Sequence, residues 1–309
     1  MKKLLILTIV IPFFGHTQYF SGEITYEIKI IPKSDTVNLK KVVEMKHGTT
    51  ASYLITARHY KSTYFKDGKY NYSYTYDDET KRMYDDYWDK PYVTFRDSRK
   101  GNFEYSGSKI LKDSTAIILG HDCYLVVTES EYGTSKTYYS DEIKVDYTDF
   151  EGHKVGNWYN KLKEVNGAIT LKTITEHESY FEIQEAIKIY QRKVKNKEFE
   201  LPKKPIAASY TALDKQIEMQ QVSQEQIQCY QLKVGAVSNQ EGEKVTSYVS
   251  FLLQNDGEIR FVEPYEEDKD ELYKVAIDII NSCGFKFIPG MIAGEPVDSQ
   301  VYFPVEFLR

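Results

Sequence analysis

The sequence predicts an α+β protein in which an antiparallel β domain is followed by a small β-β-α-β domain. Between residues 19 and 202, apolar and aromatic residues recur mainly with a period of two, the spacing of strands with one buried face. Near the C-terminus one segment changes to the spacing of an amphipathic helix and is flanked by strand-like segments. Between these regions lies the Pro- and Lys-rich segment 202–205. We place the boundary between domains 19–202 and 203–309 there.

The first 18 residues are expected to be a separate targeting segment. Lys2 and Lys3 precede an apolar stretch over residues 4–14, and the small residues Gly15 and Thr17 follow it. This stretch is shorter than the roughly 20 apolar residues that a membrane-spanning helix needs. It therefore predicts a cleavable signal peptide over residues 1–18, no membrane span and a periplasmic protein.

The N-terminal domain is predicted to consist of consecutive strands. The first shows alternation of Ile24, Tyr26, Ile28 and Ile30, and Asp67-Gly68 supplies a hairpin turn. Further strands are predicted at 92–95, 116–119, 123–128, 136–139, 168–175 and 181–189. After the turn, one strand face carries Tyr70, Tyr72, Tyr74 and Tyr76. Such a stripe is either a platform for a ligand or an ordinary surface of a sheet, because tyrosine suits both.

Residues 203–230 are rich in Gln and Ala and include Met219, which predicts a helix. The chain has three cysteines, too few for a disulfide framework at this length. Cys229 and Cys283 both belong to the C-terminal domain and could pair in an oxidising compartment. Cys123 lies in the apolar segment 116–127 and is expected to be a buried thiol. Spacing does not prove the bridge, so the Cys229–Cys283 pair is a hypothesis.

The C-terminal segment 245–309 contains the complete β-β-α-β pattern. A hairpin is predicted from the alternation of Val249, Phe251 and Leu253 followed by the turn sequence Asn255-Asp256-Gly257. A helix ending near Gly284 is predicted from the spacing of Leu272, Val275, Ala276, Ile279 and Ile280. A last strand is predicted from the alternation of Val301, Phe303, Val305 and Phe307. Pro304 has no amide donor, which indicates an edge strand.

Three short motifs accompany this pattern: Phe287-Ile288-Pro289-Gly290, Gly294-Glu295-Pro296-Val297 and Phe303-Pro304-Val305-Glu306-Phe307. Together they resemble the W-x-P-G, G-x-P-V and hydrophobic-Pro pattern of the C-terminal domain of TonB-type proteins, with Phe287 in place of the tryptophan. The resemblance covers about a third of the chain. It implies a module that docks onto envelope proteins, although the membrane helix and Pro-rich spacer of a TonB energy transducer are not visible here.

The N-terminal domain carries a second resemblance. The segments 118–124 and 137–143, the strand order and the closing residues 199–202 are similar to the GLPGLI-type secreted proteins of Bacteroidetes. That family is in turn similar to the LolA/LolB lipoprotein carriers. The likeness covers residues 19–202. It implies an open, curved β-sheet whose concave face holds an acyl chain or a hydrophobic peptide.

Features of enzymes and nucleic-acid-binding proteins are scarce. The net charge of −6 gives no electrostatic basis for binding nucleic acid. The six histidines are scattered without metal-ligand spacing, so we expect no metal and no cofactor. His121 and Cys123 share one face of a strand, but Asp122 points to the other, so no triad forms locally. We therefore expect a protein that is not an enzyme.

Two functions are predicted. In the first, an exported envelope protein binds a segment of a partner protein by strand addition to its TonB-like domain, with a role in TonB-linked transport. In the alternative, a periplasmic carrier or sensor holds a lipid or hydrophobic ligand in the N-terminal domain. An exposed edge strand also favours a homodimer. Tyr302 points outward and is the best contact candidate. The full set of predicted contact residues is Phe287, Pro289, Gly290, Val301, Tyr302, Phe303, Val305 and Phe307.

Overall fold

The computed structural model describes residues 19–101, 107–130, 133–238, 242–267 and 270–308. The predicted signal peptide, residues 1–18, lies outside these ranges. In the part of the chain that is described, no helix combines the length and the apolar character needed to cross a membrane.

Antiparallel strands dominate the N-terminal half, as the sequence predicts. They are β1 (Gly22–Pro32), β2 (Thr50–Thr56), β3 (His59–Lys66), β4 (Lys69–Asp77), β5 (Arg82–Tyr87), β6 (Val93–Asp97), β7 (Lys109–Ile118), β8 (His121–Ser130), β9 (Gly133–Lys144), β10 (Ala168–Glu176) and β11 (Tyr180–Gln191). The predicted strands are confirmed, and β2 and β5 were not predicted. The turn between β3 and β4 has positive φ at both Asp67 (51°) and Gly68 (74°). Those angles match the twist of a two-residue hairpin.

Two short helices were not predicted from the sequence. They are α1 (Leu39–Glu44) and α2 (Trp158–Glu164). Helix α2 packs the buried side chain of Leu162 onto a core that includes Ile24, Tyr76 and Phe150. Seven residues are too few to show helical periodicity, and only contact with the sheet makes such a helix stable.

The C-terminal half adds short strands and two longer helices. They are β12 (Ile206–Ala208), β13 (Glu218–Met219), α3 (Gln224–Gly235), β14 (Lys244–Leu253), β15 (Ile259–Pro264), α4 (Leu272–Ser282), β16 (Phe287–Ile288), β17 (Met291–Ile292), β18 (Glu295–Pro296) and β19 (Ser299–Leu308). The predicted hairpin, helix and last strand are thus present in order. Helix α4 buries Leu272, Ala276 and Ile279 against the inward face of β14 and β19.

The helix predicted within 203–230 is wrong for most of that range. Helix α3 begins only at Gln224, where Ser223 and Gln226 exchange hydrogen bonds between side chain and backbone in a capping box. Upstream, β12 pairs in parallel with β6 and meets the start of β19 at Ser299. These tertiary hydrogen bonds override the helix propensity of the segment.

Through β12, both halves belong to one sheet of the described residues. Its fifteen strands run in the order β15-β14-β19-β12-β6-β5-β4-β3-β2-β1-β11-β10-β9-β8-β7. The backbone of β12 is held on both sides, since the amide of Val93 donates to the carbonyl of Pro205 (2.9 Å) and that of Ala208 to the carbonyl of Asp298 (2.7 Å). The predicted boundary near Pro202 therefore falls just before a strand that the two halves share.

The prediction that β19 is an edge strand is wrong, because β19 lies between β14 and β12. It pairs with β14 along its whole length. On the other side, β12 meets it only at Ser299, so residues 300–308 have no strand neighbour there among the described residues. The main-chain nitrogen of Pro304 points to this side. Main-chain groups alternate between the two sides of a strand, and Glu306, two residues later, directs its amide there. That amide donates to the hydroxyl of Tyr230 on α3 (3.4 Å).

Candidate functional site

A cleft of about 700 Å³ lies where the two halves of the sheet meet, and we call it the junction cleft. Strand register places its lining on one face, with Tyr72 opposite Tyr87, Asp85 opposite Thr94, and Ser250 opposite Tyr302. Helix α2 covers this face farther along the sheet, whereas α4 packs on the opposite face. The cleft is lined by Tyr72, Asp85, Tyr87, Asp89, Lys90, Tyr92, Thr94, Arg96, Ser209, Ser250, Tyr265, Gln300 and Tyr302.

The N-terminal wall of the junction cleft is an aromatic cluster. The rings of Tyr72 and Tyr87 lie 4.5 Å apart, centroid to centroid. His47, from the loop after α1, stacks on Tyr72 at 4.2 Å. The cross-strand position of Tyr72 and Tyr87 on β4 and β5 fixes this pair, because directly opposed side chains are close enough to pack. These contacts bury Tyr72, so the ring of Tyr87 supplies most of the exposed aromatic surface of this wall.

The C-terminal wall is aromatic as well. Tyr302 on β19 meets Tyr265 edge to face, with ring centroids 5.2 Å apart. The side-chain amide of Gln300 donates to the hydroxyl of Tyr92 at 3.4 Å, which joins β19 to the segment before β6. Tyr302, the predicted outward contact residue, thus lies in the cleft and is 47% exposed.

The charged groups of the junction cleft are largely paired with one another. Arg96 lies 3.1 Å from the carboxylate of Asp85, which also accepts a hydrogen bond from the hydroxyl of Tyr72. Lys90 lies 2.8 Å from Glu263 on β15, an ion pair that ties the loop after β5 to the C-terminal unit. Because these charges are paired, the surface left for a ligand consists of tyrosine rings, neutral polar groups and the exposed carboxylate of Asp89.

Burial keeps the titratable rings of the cleft uncharged at neutral pH. It raises the pKa of Tyr92 to about 12 and also raises the pKa of Tyr302. Burial lowers the pKa of His47, so its imidazole is mainly neutral. For Asp85, burial raises the pKa and the neighbouring Arg96 opposes that shift. The cleft therefore changes its charge little around neutral pH.

Most of the predicted contact residues are part of the hydrophobic core. Phe287, Val301, Val305 and Phe307 are buried, and Phe303 packs partly buried against them. Phe287 keeps the role of a core aromatic, with its ring 5.4 Å from that of Phe251. The four buried side chains therefore form core rather than contact surface, and Phe303 is only partly exposed.

The Pro289-Gly290 pair is explained by packing. A Cβ atom at Gly290 would come within 2.6 Å of the Cδ1 atom of Leu213, a buried side chain. Glycine therefore lets the backbone approach Leu213 closely.

The tyrosine stripe of β4 divides between core and cleft. Tyr76 is fully buried and stacks on His153 at 4.0 Å, and the Tyr60 hydroxyl lies 2.6 Å from Nε2 of that histidine. Burial lowers the pKa of His153 to about 3, so this histidine is a neutral core residue. Tyr72 alone of the stripe lines the junction cleft. The stripe thus contains a core residue, Tyr76, and an exposed one, Tyr70, while its role as a platform for a ligand stays a prediction.

The cysteines and the remaining candidates for chemistry are also placed. Cys229 and Cys283 form a disulfide with Cα atoms 5.6 Å apart, whereas Cys123 is a buried free thiol. Nδ1 of His121 lies 2.6 Å from a carboxylate oxygen of Glu142 at the sheet surface. No three His, Cys, Asp or Glu side chains of the described residues are grouped so that they could hold a metal ion.

Sequence reasoning missed most of the cleft. Tyr87, Tyr92, Asp85 and Arg96 lie on or beside β5 and β6, and Tyr265 follows β15. Only the abundance of tyrosine, 27 residues in the chain, gave a general signal. Which of them share a surface depends on the pairing of β12 with both β6 and β19, and that pairing leaves no pattern in the sequence.

Comparisons with known proteins give little further guidance. No model of a protein family matches the chain, and no curated protein matches it. A solved structure of PNGF-II is similar to 75% of this chain with 12% identity and a TM-score of 0.36, and the match spans 43% of the PNGF-II chain. A LolA superfamily protein from Nitrosomonas europaea is similar to 59% of this chain with 8% identity and a TM-score of 0.28, over 90% of its own length. At these TM-scores neither likeness carries an argument. The TonB-like, GLPGLI-like and LolA/LolB-like resemblances stay predictions.

Proposed function

We propose that the protein is an exported, non-enzymatic carrier or sensor that holds a hydrophobic or amphipathic molecule of little net charge in the junction cleft. The observation that carries this proposal is the cleft itself. Two aromatic walls, one from each half of the chain, face about 700 Å³ of open space on a sheet face that no helix covers there among the described residues. Ligand sites are typically concave and aromatic-lined with a few convergent polar groups.

The tyrosine side chains suit such a ligand. Each ring offers apolar area for an acyl chain or a flat ring system, and each hydroxyl offers a hydrogen bond at the rim. Tyr302 and Tyr87 project from strands rather than loops, so their positions are fixed before a ligand arrives. A preorganised site loses less entropy on binding than a flexible one.

The pairing of charges argues against a strongly charged ligand in this cleft. A ligand carboxylate near Arg96 would compete with Asp85, and a ligand ammonium near Asp85 would compete with Arg96. Displacing either partner leaves a desolvated charge uncompensated, which is costly. Neutral polar groups are available instead on Ser250, Gln300 and Thr94.

Export is supported by the Cys229–Cys283 disulfide, since such bonds persist mainly in oxidising compartments. The apolar stretch over residues 4–14 is consistent with export through a signal peptide.

The first test is native mass spectrometry of the mature protein, purified gently from the cells that produce it. A retained small-molecule mass is the expected result. In parallel, the purified chain is titrated with phenylnaphthylamine, an uncharged hydrophobic probe whose fluorescence rises on binding. Replacing the ring in Tyr302→Ser should weaken probe binding by about two- to tenfold, the worth of one aromatic contact.

Tyr190→Ser is the matched control. Tyr190 lies on β11, is 54% exposed, and neither lines the junction cleft nor contacts a tyrosine that does. It should leave probe affinity unchanged. Equal effects of the two substitutions, or no effect of Tyr302→Ser, would place any ligand elsewhere and refute the proposal.

Strand addition to β19 is a second candidate, favoured by the missing strand neighbour along residues 300–308. A partner strand would have to displace Tyr230 from Glu306 and Ser238 from Leu308, whose amide donates to the Ser238 hydroxyl at 3.2 Å. Pro304 would offer it no donor. An added protein mass in the same spectrum, or a mass twice that of the monomer, would favour this docking or a homodimer over ligand carriage.

A further inference from the structure

A second cavity, of about 280 Å³, lies beneath helix α2, between that helix and strands β8, β9 and β10. We call it the α2 cavity. It is separate from the junction cleft, and no residue lines both. The lining residues are Thr128, Ser135, Thr137, Tyr139, Trp158, Lys161, Leu162, Ala168, Ile169, Thr170 and Thr173.

Among the described residues, the lining of the α2 cavity carries one positive charge and no negative charge. Lys161 is the charged residue, and neither aspartate nor glutamate is among the lining residues, although the chain carries a net charge of −6. Lys161 is only partly exposed, and burial alone accounts for the lowered pKa of its amine, with no contribution from a carboxylate. Most other partly buried lysines of the described residues pair with an acid, as Lys204 does with Asp86 at 2.8 Å, whereas Lys61 and Lys66 donate to main-chain carbonyls. A desolvated ammonium without a partner is an unfavourable arrangement unless something binds to it.

The indole ring of Trp158 also lines the α2 cavity. Its nitrogen Nε1 is buried and does not open onto the cavity, so the ring contributes apolar surface and a fluorescent reporter at the site. Trp158 and Lys161 lie one turn apart on α2, so both side chains face the same strands.

Hydroxyl groups complete the polar side of the α2 cavity. Thr137 on β9 and Thr173 on β10 are register partners and line it together. Leu162, Ala168 and Ile169 add apolar surface to the lining. An occupant would thus meet both hydroxyl groups and hydrocarbon.

From this geometry we infer that the α2 cavity binds the carboxylate or phosphate group of an anion, with the ammonium of Lys161 as its charge partner and the hydroxyls of Thr137 and Thr173 as hydrogen-bond donors. Charge-assisted hydrogen bonds to anionic oxygens would give the ammonium the partner that it lacks. The apolar surface would hold the short hydrocarbon part of the same molecule. The anion is either a small free acid or phosphate, or the headgroup of a lipid.

This site does not depend on the proposed function of the junction cleft. The two sites take ligands of different charge. Each also has one of the two tryptophans nearby, Trp158 in the α2 cavity and Trp88 between the cleft residues Tyr87 and Asp89. Failure of one proposal can therefore be told from failure of the other.

The test uses the full mature chain with Trp88→Phe, so that all tryptophan fluorescence comes from Trp158. Trp88 is 65% exposed, and its replacement should not disturb the fold. The chain is titrated with inorganic phosphate, hexanoate, dihexanoyl phosphatidic acid and, as the uncharged counterpart of hexanoate, hexanol. Saturable changes are expected with the anions and not with hexanol. Phosphatidic acid binding far more tightly than phosphate and hexanoate would identify a lipid headgroup, and similar affinities would identify a small free anion.

Lys161→Met and Lys163→Met form the decisive pair of variants. Both remove one positive charge from α2, but Lys163 is exposed and does not line the cavity. Lys161→Met should weaken anion binding by about tenfold or more, the worth of one hydrogen bond to a charged group, and Lys163→Met should not. Equal losses in the two variants, binding of hexanol as tight as that of hexanoate, or no saturation by any anion would overturn the inference. The comparison of hexanoate with hexanol stands even where Lys161→Met fails to fold.

Discussion

Removing the Cys229–Cys283 disulfide should destabilise the protein by loosening helix α3. The bond closes a loop with a sequence separation of 54 residues. For a loop of this length, the chain-entropy relation gives about 4 kcal/mol of stabilisation through restriction of the unfolded chain. The other anchors of helix α3 are weaker, because none of its residues is fully buried, Tyr230 and Val234 pack only partly buried on the core, and its ion pair from Lys233 to Asp278 is partly exposed. Surface pairs of this kind contribute little.

The assay is urea unfolding, followed by circular dichroism, of the oxidised chain and of the double variant Cys229→Ala/Cys283→Ala. The free energy of unfolding should fall by up to about 4 kcal/mol. Hydrogen exchange shows where the native state loosens. The amide of Glu306, which donates to Tyr230 on α3, should lose protection, whereas that of Phe307, whose register partner is Val245 on β14, should keep it.

Addition of a reductant is the internal control. It should lower the stability of the native chain and leave the double variant unchanged, because Cys123 is already a free thiol. The reasoning is refuted by a double variant as stable as the oxidised chain. It is equally refuted by loss of protection at Phe307 together with Glu306, which would mean that the whole C-terminal unit, not α3, depends on the bond.

Two further predictions concern pH and packing. The pKa of His153 is lowered from 6.5 to about 3 in the folded protein. Between these pH values the histidine binds a proton in the unfolded chain but not in the folded one. His153 should therefore lower the free energy of unfolding by about 1.4 kcal/mol for each unit by which the pH falls. The variant His153→Phe should be less stable near neutral pH, because it loses the hydrogen bond to Tyr60. Urea unfolding from pH 6.5 downward should show that its stability no longer falls with pH in this way. An unchanged slope would show that His153 is not buried as described. Gly290→Ala should cost about 1–3 kcal/mol by forcing a methyl group against Leu213, as measured by thermal unfolding. Gly235→Ala, where a Cβ meets no atom within 4 Å, should be neutral or stabilising, and equal effects at the two glycines would contradict the close approach at Gly290.

Periodicity in the sequence was sufficient to predict the strands and the order of the C-terminal elements. Val249, Phe251 and Leu253 alternate because β14 buries one face against α4, and that requirement is visible in any strand with one buried side. The same holds for the apolar stripe of α4. The hairpin turn could also be predicted from the local sequence. Asp67 and Gly68 adopt positive φ angles there, which few other residue types adopt readily.

Failures occurred where distant contacts override local preference. Helix α2 is stable only because Leu162 packs on the sheet, and β12 is a strand only because β6 and β19 lie on either side of it. Pro304 led to the wrong prediction of an edge strand, although its side of β19 has no strand neighbour beyond Ser299 among the described residues. Sequence could not show that α3 covers this side, since that depends on the position of Tyr230 in space.

The candidate sites show the same division most clearly. By itself the sequence determined that the chain is rich in tyrosine, mainly β-structured, and equipped with two cysteines able to pair. Only the tertiary structure decided that Tyr72 and Tyr302, 230 positions apart, face one cleft, and that Lys161 lies in a cavity without an acid. The physical reason is that period and turn preference are properties of neighbouring residues. A binding site depends on which strands pair and which surfaces remain uncovered, and that is settled by the packing of the whole chain.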